Sequence, residues 1–188
     1  MTNANALIKE VDVALMSYHT NPNGTYKNAP NKIDSNAQFV LNPGVILGFD
    51  TRKESKMEGL SFVAKGGFLQ DCANKTLYLA GGGGRYRKMI SSAMSFDING
   101  YIMGANAVTN FGSGNICEVT PSGGRNCYSV PSNDQRAFAI LPFVNFGLNY
   151  HFPSGKTIGG TLAIVPPNTA IAATSGSPLL FFTLNFGF

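Results

Sequence analysis

The stretch that most limits what this chain can become is its last one, PLLFFTLNFGF, residues 178–188. In steps of two it places Leu180, Phe182, Leu184, Phe186 and Phe188 on one side and Phe181, Thr183, Asn185 and Gly187 on the other. A period of two is the pattern of a β-strand, whose successive side chains point to opposite faces. One face is continuously apolar to residue 188, and the other is mostly small or polar. Such a face must meet either a protein core or lipid. Two features of the chain favour lipid. No segment approaches the roughly 18 continuous apolar residues of a membrane helix. Charged residues make up only 13%, while glycine numbers 22 and phenylalanine 14. A chain sparing in charge and rich in Gly and Phe suits a membrane β-barrel, in which lipid-facing residues alternate with interior ones.

The remaining strands follow from the same period. Residues 11–18 set Val11, Val13 and Leu15 against Asp12, Ala14 and Met16. Residues 39–50 set Val45, Leu47 and Phe49 against Ile46, Gly48 and Asp50, with Pro43 predicting a bulge or a gap in pairing. Residues 59–69 and 76–87 form the third and fourth strands, the latter running through Gly81, Gly82, Gly83 and Gly84. Residues 92–105 set Phe96, Ile98 and Ile102 against Asp97, Asn99 and Tyr101. Residues 137–152 form the sixth strand, interrupted at Pro142, and residues 157–165 the seventh, ending at Pro166-Pro167. Residues 20–37, 106–136 and 168–177 read as long loops, whereas 51–57, 70–75 and the PSGK turn at 153–156 are short.

Eight strands over 188 residues predict a single all-β domain, an eight-stranded antiparallel transmembrane β-barrel, the smallest even number for a bacterial outer-membrane barrel. Long connections then lie outside the cell, together with the brief connection at 70–75, and the other short turns in the periplasm. Asp50, Lys65, Asp97, Asn99, Asn145 and Asn149 fall on the face away from the apolar one and must be paired inside. The soluble competitor, a lipocalin-type barrel, inverts this arrangement. The net charge of +4 is carried by scattered basic residues, so no nucleic acid partner is expected. The opening MTNANALIKE has no apolar signal core, which fits a mature chain carrying an added Met, or else a cytosolic protein without export. Cys117 and Cys127 bracket a polar, Gly-rich segment and could form a disulfide in an oxidising compartment, leaving Cys72 unpaired.

The two histidines, His19 and His151, fall at opposite ends of the barrel, so no metal site is expected. His19 instead shares an end with Asp71 and Cys72. A histidine can serve as general base, an aspartate can orient it, and a thiol can act as nucleophile or polarise a carbonyl. The plainer alternatives are a loop histidine, a turn aspartate and a small buried cysteine.

These residues carry a resemblance. SYHTN at 17–21, NPGVILGF at 42–49, FVAKGGFLQDCANKTLYLAGGGGRYR at 62–87, ILPFVNFGLNY at 140–150 and LAIVPP at 162–167 together resemble the PagP-type lipid A palmitoyltransferases. The resemblance is distant but runs over most of the chain. It implies an outer-membrane acyltransferase, monomeric and without cofactor, moving a fatty acyl chain from a phospholipid to lipid A or a related glycolipid. His19, Asp71 and Cys72 would be the catalytic set, with Cys72 standing where the family has Ser. Gly81 to Gly84 would leave room for an acyl pocket, and Pro43, Pro142 and Pro166 would mark lateral gates for lipid entry. The chain departs from the family in lacking Trp and in having few residues before the first strand to form a periplasmic amphipathic helix. A non-enzymatic surface barrel and a lipid deacylase or phospholipase are the competing functions.

Overall fold

The computed structural model describes residues 8–20, 33, 38–51, 58–71, 74–119, 125–167 and 178–188, with side chains omitted over 107–136. It is a closed barrel of eight strands in chain order, each antiparallel to its neighbours. The strands are β1 (Glu10–His19), β2 (Phe39–Asp50), β3 (Gly59–Gln70), β4 (Thr76–Met89), β5 (Met94–Val119), β6 (Arg125–His151), β7 (Thr157–Val165) and β8 (Leu179–Gly187). Closure runs through β1 and β8, from Glu10↔Gly187 to His19↔Leu179. Closing the ladder removes the two free edges that would otherwise present unpaired backbone groups.

Alternation assigns each strand's two faces. On β8, Leu179 and Asn185 are buried, whereas Leu184 is exposed on the outer face. On β2, Val40, Asn42 and Asp50 are buried while Phe39, Leu41, Val45, Leu47 and Phe49 are exposed. Among the described residues the outer wall is largely apolar: Leu60 is 82% exposed, Phe138 76% and Ile102 66%. The interior is polar toward one end, where Glu10, Asp12, Asp50, Ser61, Arg85, Ser95, Asp97, Asn99, Asn149 and His151 are buried. That end, termed proximal, carries Glu10, Gly187, the facing strand ends Asp50 and Gly59, and the connections at residues 90–93 and 152–156. Further along, an apolar layer of Ala14, Leu69, Leu79, Met103, Ala105, Ala139 and Leu141 fills the bore, flanked by Ile46, Leu77, Phe143 and Phe181.

Three sequence expectations need correction. Residues 106–136 are not a loop for most of their length. β5 and β6 keep pairing from Asn106↔Phe138 to Val119↔Arg125, with two register shifts, and extend past the other strands as a hairpin. Met16 does not share a face with Asp12 and Ala14, because β1 carries a bulge between Ala14 and Met16. Leu15 is the extra residue against β8, where Ala14↔Thr183 is followed by Met16↔Phe182. The bulge shifts the inward phase by one residue, so that Ser17 and His19 face the bore. Pro142 does not break β6 along β5, since the pairing runs continuously through Ile102↔Pro142. The expectation at Pro43 holds: Asn42 and Pro43 lie opposite the β1 bulge, between the pairs Ala14↔Gly44 and Met16↔Leu41. The PSGK turn also forms, closed by the Phe152 N–H to Lys156 carbonyl bond of 2.8 Å, with Gly155 at φ 83°.

Candidate active site

The distal end of the bore is where the expected catalytic residues belong. His19 is the last residue of β1, is 3% exposed, and is fixed through its backbone N–H to the Gln38 carbonyl at 2.7 Å. Its ring Nε2 lies 3.5 Å from Ser17 Oγ, two residues back on the same inward face. The Ser17 hydroxyl donates to Asn42 Oδ1 at 2.5 Å. The amide nitrogen of Asn42 in turn donates to the Gln70 carbonyl at 2.9 Å. Ser17 and Asn42 are 0% and 1% exposed, so these bonds compete with little water. A polar chain thus crosses the inner wall from β1 through β2 to the end of β3.

Asp71 immediately follows β3 and shapes the connection to β4. Its carboxylate accepts the Lys75 N–H at 2.9 Å, and its backbone pairs with Lys75 and Asn74. This is the usual work of an aspartate in a tight turn, and it holds the carboxyl at the same end of the barrel as His19. Cys72 lies outside the described residues. Ser17 and Asn42 were not singled out by sequence reasoning. The available signal was Ser17 standing two residues before His19, and it was obscured by the bulge that sets their common face.

At this rim there are two seams, each where one strand outruns a neighbour that has reached its end. Pairing of β2 with β3 stops at Gly44↔Leu69, although β2 continues along β1 as far as Phe39. Pairing of β6 with β7 stops at Val144↔Ile164, although β6 continues along β5. Pro43 sits beside the first seam, and Pro142 and Pro166 beside the second. A proline has no N–H to donate, so each sits where a ladder bond is not demanded of it.

The four glycines divide between the two faces of β4. By alternation with buried Leu79 and Arg85, Gly81 and Gly83 face the bore while Gly82 and Gly84 face outward. A Cβ on Gly83 would stand 1.8 Å from the Gly100 carbonyl oxygen, and one on Gly81 2.1 Å from that of Ile102. These two glycines therefore allow β4 and β5 to approach closely, which a side chain would prevent. Gly82 and Gly84 do not line the interior.

Proximal to the apolar layer, the bore is packed with ion pairs. Arg85 donates to both Glu10 oxygens, at 2.6 and 2.9 Å, to Asp50 at 3.1 Å and to Asn99 at 2.8 Å. Lys65 bonds Glu10 and Asp12 and lies over the Tyr101 ring. Arg87 grips Asp97 with two bonds of 2.6 Å, and Asn149 adds a third to that carboxylate at 3.0 Å. His151 pairs with Ser95 at 2.7 Å near the proximal turns. Sequence reasoning placed Asp50, Lys65, Asp97 and Asn149 inside, but left Glu10 ahead of the first strand and did not assign Arg85 and Arg87 to the interior.

The backbone register sets Cys117 opposite Cys127 in the β5–β6 hairpin. Their side chains lie outside the described residues, so the expected disulfide rests on that register. Among the described residues no cluster of His, Cys, Asp and Glu could hold a metal ion. Comparison with protein-family models and with curated proteins returns no match.

Proposed function

We propose that the chain is an outer-membrane acyltransferase that moves a fatty acyl chain from a phospholipid to lipid A or a related glycolipid. The observation that carries the membrane part is the inversion of the barrel: phenylalanine, leucine and isoleucine on the outer wall, ion pairs within. A water-soluble barrel of this size needs the opposite arrangement, whereas a lipid-embedded one needs this one. The single-domain reading and a Gram-negative outer-membrane location belong to the same proposal, which the inversion supports.

The acyl-transfer part is supported by the distal end. A buried histidine stands beyond an apolar layer, beside two proline-flanked seams in the wall. In this reading, lipid reaches the bore laterally through the seams. His19 takes the proton of the acceptor hydroxyl, and that oxygen attacks the ester carbonyl of the donor. The new ester bond forms as the bond to the glycerol oxygen breaks. His19 returns the proton to that oxygen, releasing a lysophospholipid. Asp71 would orient the base. Cys72 would either polarise the carbonyl or carry the acyl group as a thioester before transfer. Neither route requires a cofactor, and one barrel supplies all the groups.

One observation favours a second reading. Asp71 is already committed to the Lys75 N–H, which is what a purely structural turn residue would do. A non-enzymatic barrel that binds at the surface is then the alternative, and a deacylase or phospholipase differs only in using water as acceptor.

Mass spectra of lipid A from cells with and without the gene separate the three. Acyl transfer adds the mass of one fatty acyl chain, lost in the His19→Asn variant. Free fatty acid with unchanged lipid A identifies the hydrolase, and no lipid change at all identifies the non-enzymatic barrel. Transfer that persists undiminished in His19→Asn sinks the assignment of the base.

A further inference from the structure

The bond that ties β2 to the end of β3 at the distal rim comes from a side chain. In an antiparallel ladder, pairs that exchange backbone bonds alternate with pairs that do not. The Thr51 N–H donates to the Phe62 carbonyl at 2.9 Å. Counting along the register, Phe49–Ala64, Leu47–Gly66 and Val45–Phe68 are then the bonded pairs. The next would be Pro43–Gln70. The other side of β3 agrees. The Asp71 N–H donates to the Lys75 carbonyl at 2.8 Å, so the backbone groups of Asp71 point toward β4 and those of Gln70 toward β2. The Gln70 carbonyl therefore faces a residue that has no N–H. The side-chain amide nitrogen of Asn42, one residue back, donates to it instead, at 2.9 Å. No ladder bond is then demanded of Pro43. The two backbones are also close at this point, since a Cβ on Gly44 would collide with Leu69 Cα.

We propose that Asn42 is a positioning residue: its side chain replaces the donor that Pro43 lacks and pins the end of β3, with Asp71 directly after it, to the strand that carries His19. The same amide reaches the other neighbour of β2. Its Oδ1 accepts from the Ser17 hydroxyl at 2.5 Å, and Ser17 stands on β1 two residues before His19. Asn42 does this where β2 is irregular, for Asn42 and Pro43 fall between the pairs Ala14↔Gly44 and Met16↔Leu41. At 1% exposure, the amide competes with little water for both bonds. One side chain thus joins three strands at a level where the backbone of β2 cannot. The pin rests on these hydrogen bonds alone; its effect on transfer rests on the acyltransferase reading above.

The test is a double-mutant cycle on the full chain refolded in detergent. Asn42→Leu keeps the bulk but cannot donate. Pro43→Ala supplies a backbone N–H facing the Gln70 carbonyl. Deuterium uptake over residues 66–71 should rise about tenfold in Asn42→Leu, as expected for the loss of one buried hydrogen bond, with β5 and β6 unchanged. In the double variant it should return to within about threefold of wild type. Pro43→Ala offers Ser17 no acceptor, so such a rescue isolates the Gln70 bond. In acyl transfer, Asn42→Leu should lower kcat by about tenfold or more with KM unchanged, and adding Pro43→Ala should restore most of it. Unchanged uptake in Asn42→Leu overturns the pin, as does a double variant that is no better protected than Asn42→Leu. Should Asn42→Leu not fold, Pro43→Ala alone decides: a second donor to Gln70 should slow uptake over 66–71, and unchanged uptake overturns the pin. Altered uptake with unaltered kcat overturns the positioning role. Should the wild type transfer no acyl group, the acyltransferase reading falls, while uptake continues to judge the pin.

Discussion

Replacing Arg85 with Met should be the most damaging single change in the interior that leaves the distal site untouched. Arg85 is 3% exposed and donates four bonds of 2.6–3.1 Å: two to Glu10, one to Asp50 and one to Asn99. The connected ion pairs join four carboxylates (Glu10, Asp12, Asp50 and Asp97) to three cations (Lys65, Arg85 and Arg87). Without Arg85 the same four carboxylates share two cations. Asp50 loses its ion pair to Arg85, and Glu10 keeps Lys65, which it already shares with Asp12. Breaking a buried pair by removing one partner costs about 3–5 kcal/mol, because the other charge stays buried. That lowers the ratio of folded to unfolded barrel by more than about a hundredfold. The measurement is urea-dependent unfolding in detergent micelles, followed by the mobility of folded and unfolded barrel on gels. Arg85→Lys should fall between the wild type and Arg85→Met, since a lysine keeps the charge but not the fork that serves Glu10, Asp50 and Asn99 at once. Adding Glu10→Gln to Arg85→Met should recover at least about 1 kcal/mol, because the stranded charge is gone. An Arg85→Met barrel within about 1 kcal/mol of wild type, or a double variant whose losses simply add, would refute the view that this cluster acts as one unit.

Three further outcomes follow from particular positions. Ile98→Arg, on the outer row of β5 between Phe96 and Gly100, should lower stability in a bilayer by about 2–4 kcal/mol if that row meets the hydrocarbon midplane; reversible unfolding in phospholipid vesicles measures it, and a neutral effect would point to water on that face. Gly83→Ala should disrupt β4–β5 pairing and reduce the refolded yield, whereas Gly84→Ala, with nothing within 4 Å of the added carbon, should refold as well as wild type. Alkylation of the oxidised, denatured chain should modify one cysteine of the three, rising to three after reduction, with Cys117 and Cys127 the protected pair; three reactive thiols before reduction would exclude the bridge.

Most of the barrel could be read from the chain because its outer wall is selected so uniformly. Leu180, Phe182, Leu184 and Phe186 declare the phase of β8, and the Val45–Leu47–Phe49 row declares that of β2, so strand number, order and inward residues followed. The reading failed where that selection lapses. Over residues 106–136 the sequence is rich in Asn, Ser and Gly on both faces, so no period of two marks the paired hairpin. At Leu15 a single inserted residue reversed the phase, and pattern matching cannot detect a bulge whose flanks, Ala14 and Met16, are both plausible on either face. Glu10 was left outside the first strand because a lone carboxylate beside Lys9 looks like a solvated leader. Its partners Lys65 and Arg85 lie 55 and 75 residues away. Of the candidate site, His19 and the prolines beside the seams were legible. The hydrogen bond between Ser17 and Asn42 was not, since it depends on register between two strands that are both irregular at that point.

The division of the interior also constrains how an acyl chain could be handled. A fatty chain leaving the bilayer for the bore exchanges one hydrocarbon environment for another, so the hydrophobic effect that drives binding from water contributes little. Recognition must then come from shape and from what the chain is forced to displace. Among Leu69, Leu79, Met103, Ala139 and Leu141 it displaces only apolar contacts. One step further it would have to part Lys65 and Arg85 from Glu10 and Asp12, at a cost of several kcal/mol with no compensating polar partner on the lipid. On the acyl-transfer proposal the ion-paired layer would therefore be a floor as well as a brace. Both strand-end seams lie on the distal side of it, at the His19 end, so on the same proposal a lipid would bring its ester to His19 without disturbing the buried charges.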